Sequence, residues 1–194
     1  MGRTRTFDAG EVVEAARGVF WDLGFAEASV PELERATGLN RSSLYQAFGS
    51  KRGLFDAAVE SYLDEVFRPR LAPLRAVAVE PGALEDYLSG LREAMIDHPS
   101  ARAANGCLLL AAAGGPLGQD AALQGIVTQY YAELRAAVAA GVAARHPRLG
   151  PARSGALTTS CTSFVLSAMA LVRADPAAAG EMLDAALDAV RAIR

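Results

Sequence analysis

The stretch from Ser29 to Phe55 reads SVPELERATGLNRSSLYQAFGSKRGLF and carries the clearest helix and turn signals of the chain. Within it, Gly38 separates two short segments of helical character, and Gly49 ends the second segment. Two short helices joined by a tight turn that contains glycine are the sequence signature of a helix-turn-helix. The stretch therefore predicts a helix-turn-helix unit.

Capping residues set the bounds of these helices. Ser29 and Glu32 have the spacing of a capping box, and Pro31 lies in the first turn, where its missing N–H costs nothing. Asn40 and Ser50 are suitable N-cap residues for the two helices that follow. The predicted helices are Val30–Thr37, Arg41–Phe48 and Lys51 to about Phe67.

Another helix precedes this unit. Asp8 and Glu11 have capping-box spacing, and Phe7 and Val12 occupy the positions of a hydrophobic staple. Apolar residues then recur at helical spacing, and Gly24 supplies a stop. The N-terminal region is thus predicted to hold three helices and the start of a fourth.

The Arg41–Phe48 helix has two chemically distinct faces on a helical wheel of about 100° per residue. Leu44, Ala47 and Phe48 fall on the face predicted to be buried. The opposite face lacks the Glu and Lys of a typical solvated helix; its polar residues are Ser42 and Gln46, with Ser43 and Tyr45 on the flanks and Arg41 at the start. Such side chains suit base edges and phosphates in a DNA major groove.

The charge pattern also favours a polyanionic partner. The chain has a formal net charge of −3, yet the charged residues from Arg35 to Phe55 are all basic. A local basic window is sufficient for a small phosphate footprint, although a window without acids also occurs by chance. Lys51, the only lysine, lies in a first helical turn, where it opposes the helix dipole unless an anion binds there. The alternative is a solvated surface lysine.

Taken together, these residues resemble the DNA-binding domain of TetR-type transcriptional regulators over about residues 8–60. The most specific part is the run of a small residue, Leu44, Tyr45, two variable residues and Phe48, followed by a loop and Lys51. The resemblance implies that Tyr45, Lys51 and Ser29 contact phosphates, with Ser43 as a further candidate. It assigns base reading to Arg41, Ser42 and Gln46, and Arg3 and Arg5 could reach an adjacent minor groove.

The rest of the chain has no strand signature and predicts further helices. The predicted segments are an apolar stripe from Leu84 to Met95 ended by His98-Pro99, then Arg102–Ala113, about Asp120–Arg145, about Ala152–Arg173 and Ala177 to about Ile193. We therefore expect an all-α protein. The resemblance implies a helix-turn-helix domain over residues 1–55, a linking helix over about 51–67, and a C-terminal effector-binding and dimerisation domain over 68–194.

Residues 154–172 contain no charge, which reaches the length of a membrane span. Several Thr and Ser residues make this segment polar for a span, and a helix that is apolar all round is normally buried in protein. TetR-type proteins usually pair their last two helices with those of a second subunit. The resemblance thus implies a homodimer formed through about residues 152–193, whereas a membrane-surface protein is the competing interpretation.

The C-terminal region offers two kinds of signal-receiving site. Cys107 lies in a Gly-Cys-Leu stretch that resembles one branch of the family, in which some relatives sense oxidants or electrophiles with a cysteine. Its neighbours are mostly apolar, so a buried, inert thiol is the alternative. Other residues that could line a ligand cavity, or simply form core, are Tyr87, Leu91, Met95, Tyr130, Tyr131 and Phe164.

Several function classes find little support in the composition. Two cysteines and two histidines are too few for a disulfide scaffold and leave little from which to build a metal cluster, so we expect neither a metal nor a cofactor. No nucleophile–base pair, paired catalytic carboxylates or phosphate-cradling loop is recognisable, so we expect no enzyme. No apolar export segment follows the N-terminus. The prediction is a cytoplasmic, DNA-binding repressor released by a small-molecule effector, or alternatively by modification of Cys107.

Overall fold

The computed structural model describes residues 7–97 and 102–193, and across these ranges the regular structure is helical, without strands. The α-helices are α1 Ala9–Glu27, α2 Val30–Thr37, α3 Arg41–Phe48, α4 Lys51–Tyr62, α5 Arg68–Leu71, α6 Ala83–Arg92, α7 Leu108–Ala113, α8 Ala121–Arg145, α9 Pro151–Leu171 and α10 Pro176–Arg191. The all-α prediction is confirmed.

The bounds predicted for α2 and α3 are confirmed at both ends. Gly24 interrupts α1 with φ 79° and ψ 166°, and one further turn follows before the chain enters α2. The predicted stop is therefore a kink. Phe20 and Phe25 on α1 pack against Phe55 on α4, with ring centroids 5.2 and 5.1 Å apart respectively, so α1 is fastened to α4 through aromatic contacts.

The helix that begins at Lys51 runs further than Phe67. After α4 the chain makes a π-helical segment over Leu63–Phe67, continues through α5 and ends in a 3₁₀ segment over Ala72–Arg75. Phe67 packs on Tyr130 of α8, with ring centroids 4.4 Å apart. This continuous rod connects the helix-turn-helix unit with the helices that follow.

The prediction of one helix over Arg102–Ala113 is wrong. The described chain forms a 3₁₀ turn over Ala103–Asn105, then Gly106 with φ 72° and an extended Cys107, and only then α7. The reason is a tertiary contact, because a Cβ on Gly106 would lie 2.0 Å from the carbonyl oxygen of Met169 in α9. The predicted helix end at His98-Pro99 lies outside the described residues.

The last three long helices form the main body of the C-terminal half. Asp120 caps α8 by accepting the N–H of Leu123 at 2.8 Å, and α9 packs against both α8 and α10. In the described residues, α9 is the one helix long and apolar enough to cross a membrane, and a third of its most apolar window (33%) is buried. Its buried side carries Leu157, Cys161, Val165 and Ala168.

Candidate nucleic-acid interface

The exposed surface of α3 is wider than the helical wheel predicts. Leu44 is buried, and Phe48 is half-buried. Ala47, predicted to be on the core face, is exposed. The wheel assignment of Ala47 is wrong because α3 packs through the side that holds Leu44, Phe48 and Tyr45, which turns Ala47 outward. The other exposed residues of α3 are Arg41, Ser42 and Gln46, and Ser43 is half-buried.

Two acceptors fix the start of α3. Asn40 accepts the N–H of Ser43 at 2.9 Å, as expected of its N-cap position. Glu34 of α2 reaches across the turn, and its Oε1 accepts the N–H of Arg41. Glu34 was not anticipated from the sequence, where the available signal is an acid positioned to meet the positive end of the next helix. The two contacts hold α3 at a fixed angle to α2.

Arg41 and Tyr45 form a pair on one flank of α3. The guanidinium carbon of Arg41 lies 5.2 Å from the centroid of the Tyr45 ring, which is cation–π geometry. Tyr45 is half-buried, and its packing against the hydrophobic core holds the ring in place. The pair places a guanidinium and a phenol next to each other at the edge of the exposed face.

Lys51 lies over the α1–α2 turn. Its Nζ is 4.8 Å from the centroid of the Phe25 ring and donates to the carbonyl of Ala26 at 3.3 Å. Partial burial lowers the pKa of Lys51, while nearby Glu27 and Glu32 act in the opposite direction. The cation is therefore fixed by weak contacts and has no salt bridge among the described residues.

Ser29 lies near Lys51 at the N-terminus of α2. Its hydroxyl donates to Glu32 Oε2 at 2.7 Å and accepts the N–H of Glu32 at 3.4 Å, and the Ser29 N–H also donates to this carboxylate. These bonds from Ser29 lower the pKa of Glu32. The predicted capping box is confirmed. The hydroxyl of Ser29 is thus exposed but engaged by Glu32 in the free protein.

Arg52 is directed away from this surface. It binds Asp56 at 2.7 Å and Asp120, the N-cap of α8, at 2.8 Å. The Arg52 guanidinium lowers the pKa of Asp120 to about 2. Of the basic residues between Arg35 and Phe55, Arg52 therefore joins α4 to α8 instead of facing outward.

A groove of about 520 Å³ runs beside α3. Its lining residues are the apolar Phe7, Leu39 and Ala47, the polar Asn40, Ser43 and Gln46, and Gly38. Arg3 and Arg5, predicted to form a basic arm, lie outside the described residues. Of the predicted nucleic-acid contacts, Ser43 and Gln46 line this groove, and Arg41 and Ser42 are exposed on the same helix.

Comparison with known proteins identifies the fold and its family. The family model described as bacterial regulatory proteins, tetR family, matches residues 12–58. The HTH-type transcriptional repressor BdcR of Escherichia coli (strain K12) is 31% identical over 147 residues, which cover 76% of this chain and 72% of BdcR. The chain belongs to the TetR family of transcriptional regulators.

Further relatives match shorter or longer parts of this TetR-family chain. The HTH-type transcriptional repressor ComR of Escherichia coli (strain K12) is 34% identical over 92 residues, 46% of this chain and 43% of ComR. Among solved structures, a cysteine mutant of the TetR family transcriptional regulator CifR, complexed with 26-bp double-strand operator DNA, has a TM-score of 0.76. It is 26% identical and covers 100% of both chains.

In this TetR-family protein, α1 is tied directly to the C-terminal helices. The Trp21 indole N–H donates to the Gly106 carbonyl at 3.0 Å, and the indole meets Tyr62 edge to face at 5.0 Å. The Asp22 carboxylate accepts a hydrogen bond from the Asn105 side-chain amide at 2.6 Å. The backbone carbonyl of Asp22 accepts one from the Arg173 guanidinium at 2.8 Å. These contacts surround the point where the predicted helix over Arg102–Ala113 is broken.

Cys107 follows Gly106, the residue whose carbonyl accepts the Trp21 indole N–H. It is 1% exposed, and the Tyr62 and Tyr130 side chains lie close to its thiol. Burial raises the pKa of both phenols, with Cys107 as the next cause. Tyr62 was missed in the sequence, since an aromatic residue on α4 gives no signal of a partner on a distant turn. Cys161 is also buried, and burial raises its pKa to about 11.

The residues predicted to line a ligand cavity differ in their exposure. Tyr87 and Leu91 line an open groove of about 550 Å³ with Arg70, whereas Met95, Cys107 and Tyr130 are buried. The Tyr130 hydroxyl donates to Met169 Sδ at 3.3 Å. Tyr131 faces solvent with 42% exposure, because it lies about 100° around α8 from the buried Tyr130, and Phe164 is half-buried on α9.

Proposed function

We propose that this TetR-family protein is a DNA-binding transcriptional repressor that binds a near-palindromic operator as a homodimer. The observation that carries the proposal is the surface of α3, where Arg41, Ser42 and Gln46 are exposed and Arg41 lies over the Tyr45 ring. None of the exposed residues of α3 is acidic. Such a surface complements a polyanion and carries groups for base edges.

The phosphate contacts in this proposal are Ser29, Ser43, Tyr45 and Lys51. To reach a phosphate, Lys51 gives up only its hydrogen bond to the Ala26 carbonyl and its contact with the Phe25 ring, so the free-energy cost of moving the ammonium group is small. A phosphate at the N-terminus of α2 would compete with Glu32 for the Ser29 hydroxyl. Arg41, Ser42 and Gln46 are the proposed base readers, and Arg3 and Arg5 the proposed minor-groove arm.

The names of similar proteins support repression as the outcome. BdcR and ComR are both described as HTH-type transcriptional repressors, and CifR is seen with operator DNA. A repressor acts on chromosomal DNA, so we propose a cytoplasmic location. We propose that residues 1–55 form the DNA-binding domain, that about 51–67 form the linking helix, and that 68–194 form the effector-binding and dimerisation domain.

Dimerisation is proposed to occur through α9 and α10, within about residues 152–193. The outward side of α9 carries small polar residues and Leu171, which is 38% exposed. A second copy packed there would cover the apolar surface of this charge-poor helix. Two recognition helices in a dimer reach successive major grooves, which gives a specificity that one small domain lacks.

The proposed effector is a small molecule in the groove lined by Tyr87 and Leu91. Further proposed contacts do not line this groove: Met95, Cys107, Tyr130, Tyr131 and Phe164. Of these, Met95, Cys107 and Tyr130 are buried, and Tyr131 is exposed to solvent. A short path leads from this groove to the DNA-binding helices. Burial raises the pKa of Tyr87 and of Tyr62, and nearby Cys107 adds to both shifts, while Tyr62 packs edge to face on Trp21 of α1. We propose that a ligand that displaces Tyr87 acts on α1 along this path.

A second candidate is a repressor switched by oxidation or electrophile modification of Cys107. The observation that favours it is the position of this thiol between Tyr62 and Tyr130, next to the Trp21–Gly106 bond. Any added group would force these side chains apart. A Cys107→Ser variant that keeps the response to signal would exclude this mechanism, and loss of the response with normal DNA affinity would support it.

The test of DNA binding is selection of bound sequences from random duplex DNA by the purified protein. We expect a palindromic consensus. Tyr45→Phe should weaken binding to every selected sequence by roughly tenfold, since it removes a hydroxyl bond to phosphate in both subunits. Lys51→Ala should weaken binding by roughly a hundredfold or more, since the lost bond is charge-assisted. Arg148→Ala, in the loop between α8 and α9, removes one charge as a control. Absence of any sequence enrichment would overturn the proposal.

A further inference from the structure

Ala47 is the apolar member of the exposed surface of α3. The other exposed residues of this helix are Arg41, Ser42 and Gln46, all hydrogen-bonding groups. Its methyl group opens onto the groove of about 520 Å³ that Phe7 also lines. An outward methyl on a surface built for DNA has a specific counterpart, because among the four bases only thymine presents a methyl group in the major groove.

Gln46 adds a second A·T-specific element beside Ala47. The two residues are consecutive on α3, and both side chains line the same groove. A glutamine amide can bond adenine N6 and N7 at once, which is a bidentate match that no other base offers. Neighbouring positions on a recognition helix reach the same or adjacent base pairs, so an amide and a methyl together match adenine and thymine.

Arg41 lies at the opposite end of α3 from Gln46 and Ala47. Arginine is the commonest reader of guanine O6 and N7. Here the guanidinium of Arg41 lies over the Tyr45 ring, at the edge of the exposed face. The Arg41 backbone N–H is held by Glu34, which fixes where this side chain begins. In the last turn of α3, the exposed residues are Gln46 and Ala47.

We propose that Ala47 is a specificity-determining residue that packs its methyl against a thymine methyl, with Gln46 reading an adenine in the same or the adjacent pair. This inference rests on the proposed DNA-binding function and deepens it, since it names the chemistry of the operator. Each half-site then contains an A·T step under the last turn of α3, and Arg41 and Ser42 read bases nearer the start of the helix.

The experiment replaces each thymine of a selected operator with deoxyuridine, which removes the methyl and keeps base pairing. We expect one position per half-site at which the replacement weakens binding by about threefold to fivefold, as for loss of one buried methyl. With Ala47→Gly the same replacement should cost nothing, because the partner methyl is gone. Ala47→Ser is a second variant that keeps a side chain should glycine unfold the short helix.

Gln46→Ala provides an independent readout. Repeated sequence selection with this variant should lose the preference for adenine at one position per half-site and keep the rest of the consensus. A consensus with G·C pairs under the last turn of α3, or a uracil effect of equal size in Ala47→Gly, would overturn the inference and leave the regulator proposal standing. A protein that enriches no sequence would overturn both.

Discussion

Gly38 and Gly106 both follow short helical segments and both have positive φ, at 69° and 72°, but for different physical reasons. Gly38 ends α2 in the left-handed conformation, and a Cβ there would meet nothing within 4 Å. Gly106 has ψ −136°, and a Cβ there would collide with the backbone of α9. The first turn is therefore encoded locally, whereas the second is imposed by packing between distant segments.

The largest expected effect separates these two glycines. Gly106→Ala should destabilise the protein by about 3 kcal/mol or more, since backbone strain and overpacking each cost 1–3 kcal/mol. Gly38→Ala should cost about 1–2 kcal/mol, the penalty of the left-handed conformation alone. Urea unfolding followed by circular dichroism measures both. Equal losses would contradict the distinction between the two turns.

Trp21→Phe tests the junction around Gly106 more gently. Phenylalanine preserves an aromatic contact with Tyr62 but leaves the Gly106 carbonyl without its donor, which should cost about 1–3 kcal/mol. Thermal unfolding followed by circular dichroism gives the change. Tyr131→Phe, on the exposed side of α8, is the matched control and should shift the midpoint very little. A Trp21→Phe protein as stable as the wild type would show that the Trp21–Gly106 hydrogen bond does not stabilise the fold.

Asn40→Ala tests the local side of the comparison. The change removes the cap of α3 and should cost about 1 kcal/mol, whereas Asn40→Ser keeps an acceptor for the Ser43 N–H and should cost less. DNA affinity should fall with Asn40→Ala because the start of α3 frays. If Ser and Ala variants behave alike in urea unfolding, Glu34 alone holds this end of the helix.

The smallest expected effect concerns the Arg52–Asp120 pair, which joins the two regions. The folded pKa of Asp120, about 2, lies below its unfolded value, so the pair stabilises the fold above about pH 4 and loses this contribution as the pH falls through 2. Asp120→Asn keeps the cap and removes the charge. Its melting temperature should lie below that of the wild type at pH 6 and converge with it near pH 2. A constant difference across this range would contradict the assignment.

The sequence predicts those structural features that are determined by interactions between residues close together in the chain. The bounds of α2 and α3 follow from Ser29, Asn40, Gly38 and Gly49, all of which act within one turn of their own position. The outward turn of Ala47 and the Glu34 contact could not be read in this way, because they depend on the angle between α2 and α3. The same limit applies to the Cys107 surroundings, where Tyr62 and Tyr130 come from different helices.

The central claim, that α3 and the residues around it bind DNA phosphates, is tested most directly by salt. Operator affinity should be measured against salt concentration for the wild type, Lys51→Ala and Arg148→Ala. We predict that Lys51→Ala lowers the slope of log affinity against log salt by about 2 per dimer, one phosphate contact for each subunit, with Arg148→Ala unchanged. A slope for Lys51→Ala equal to that of the wild type would contradict the account.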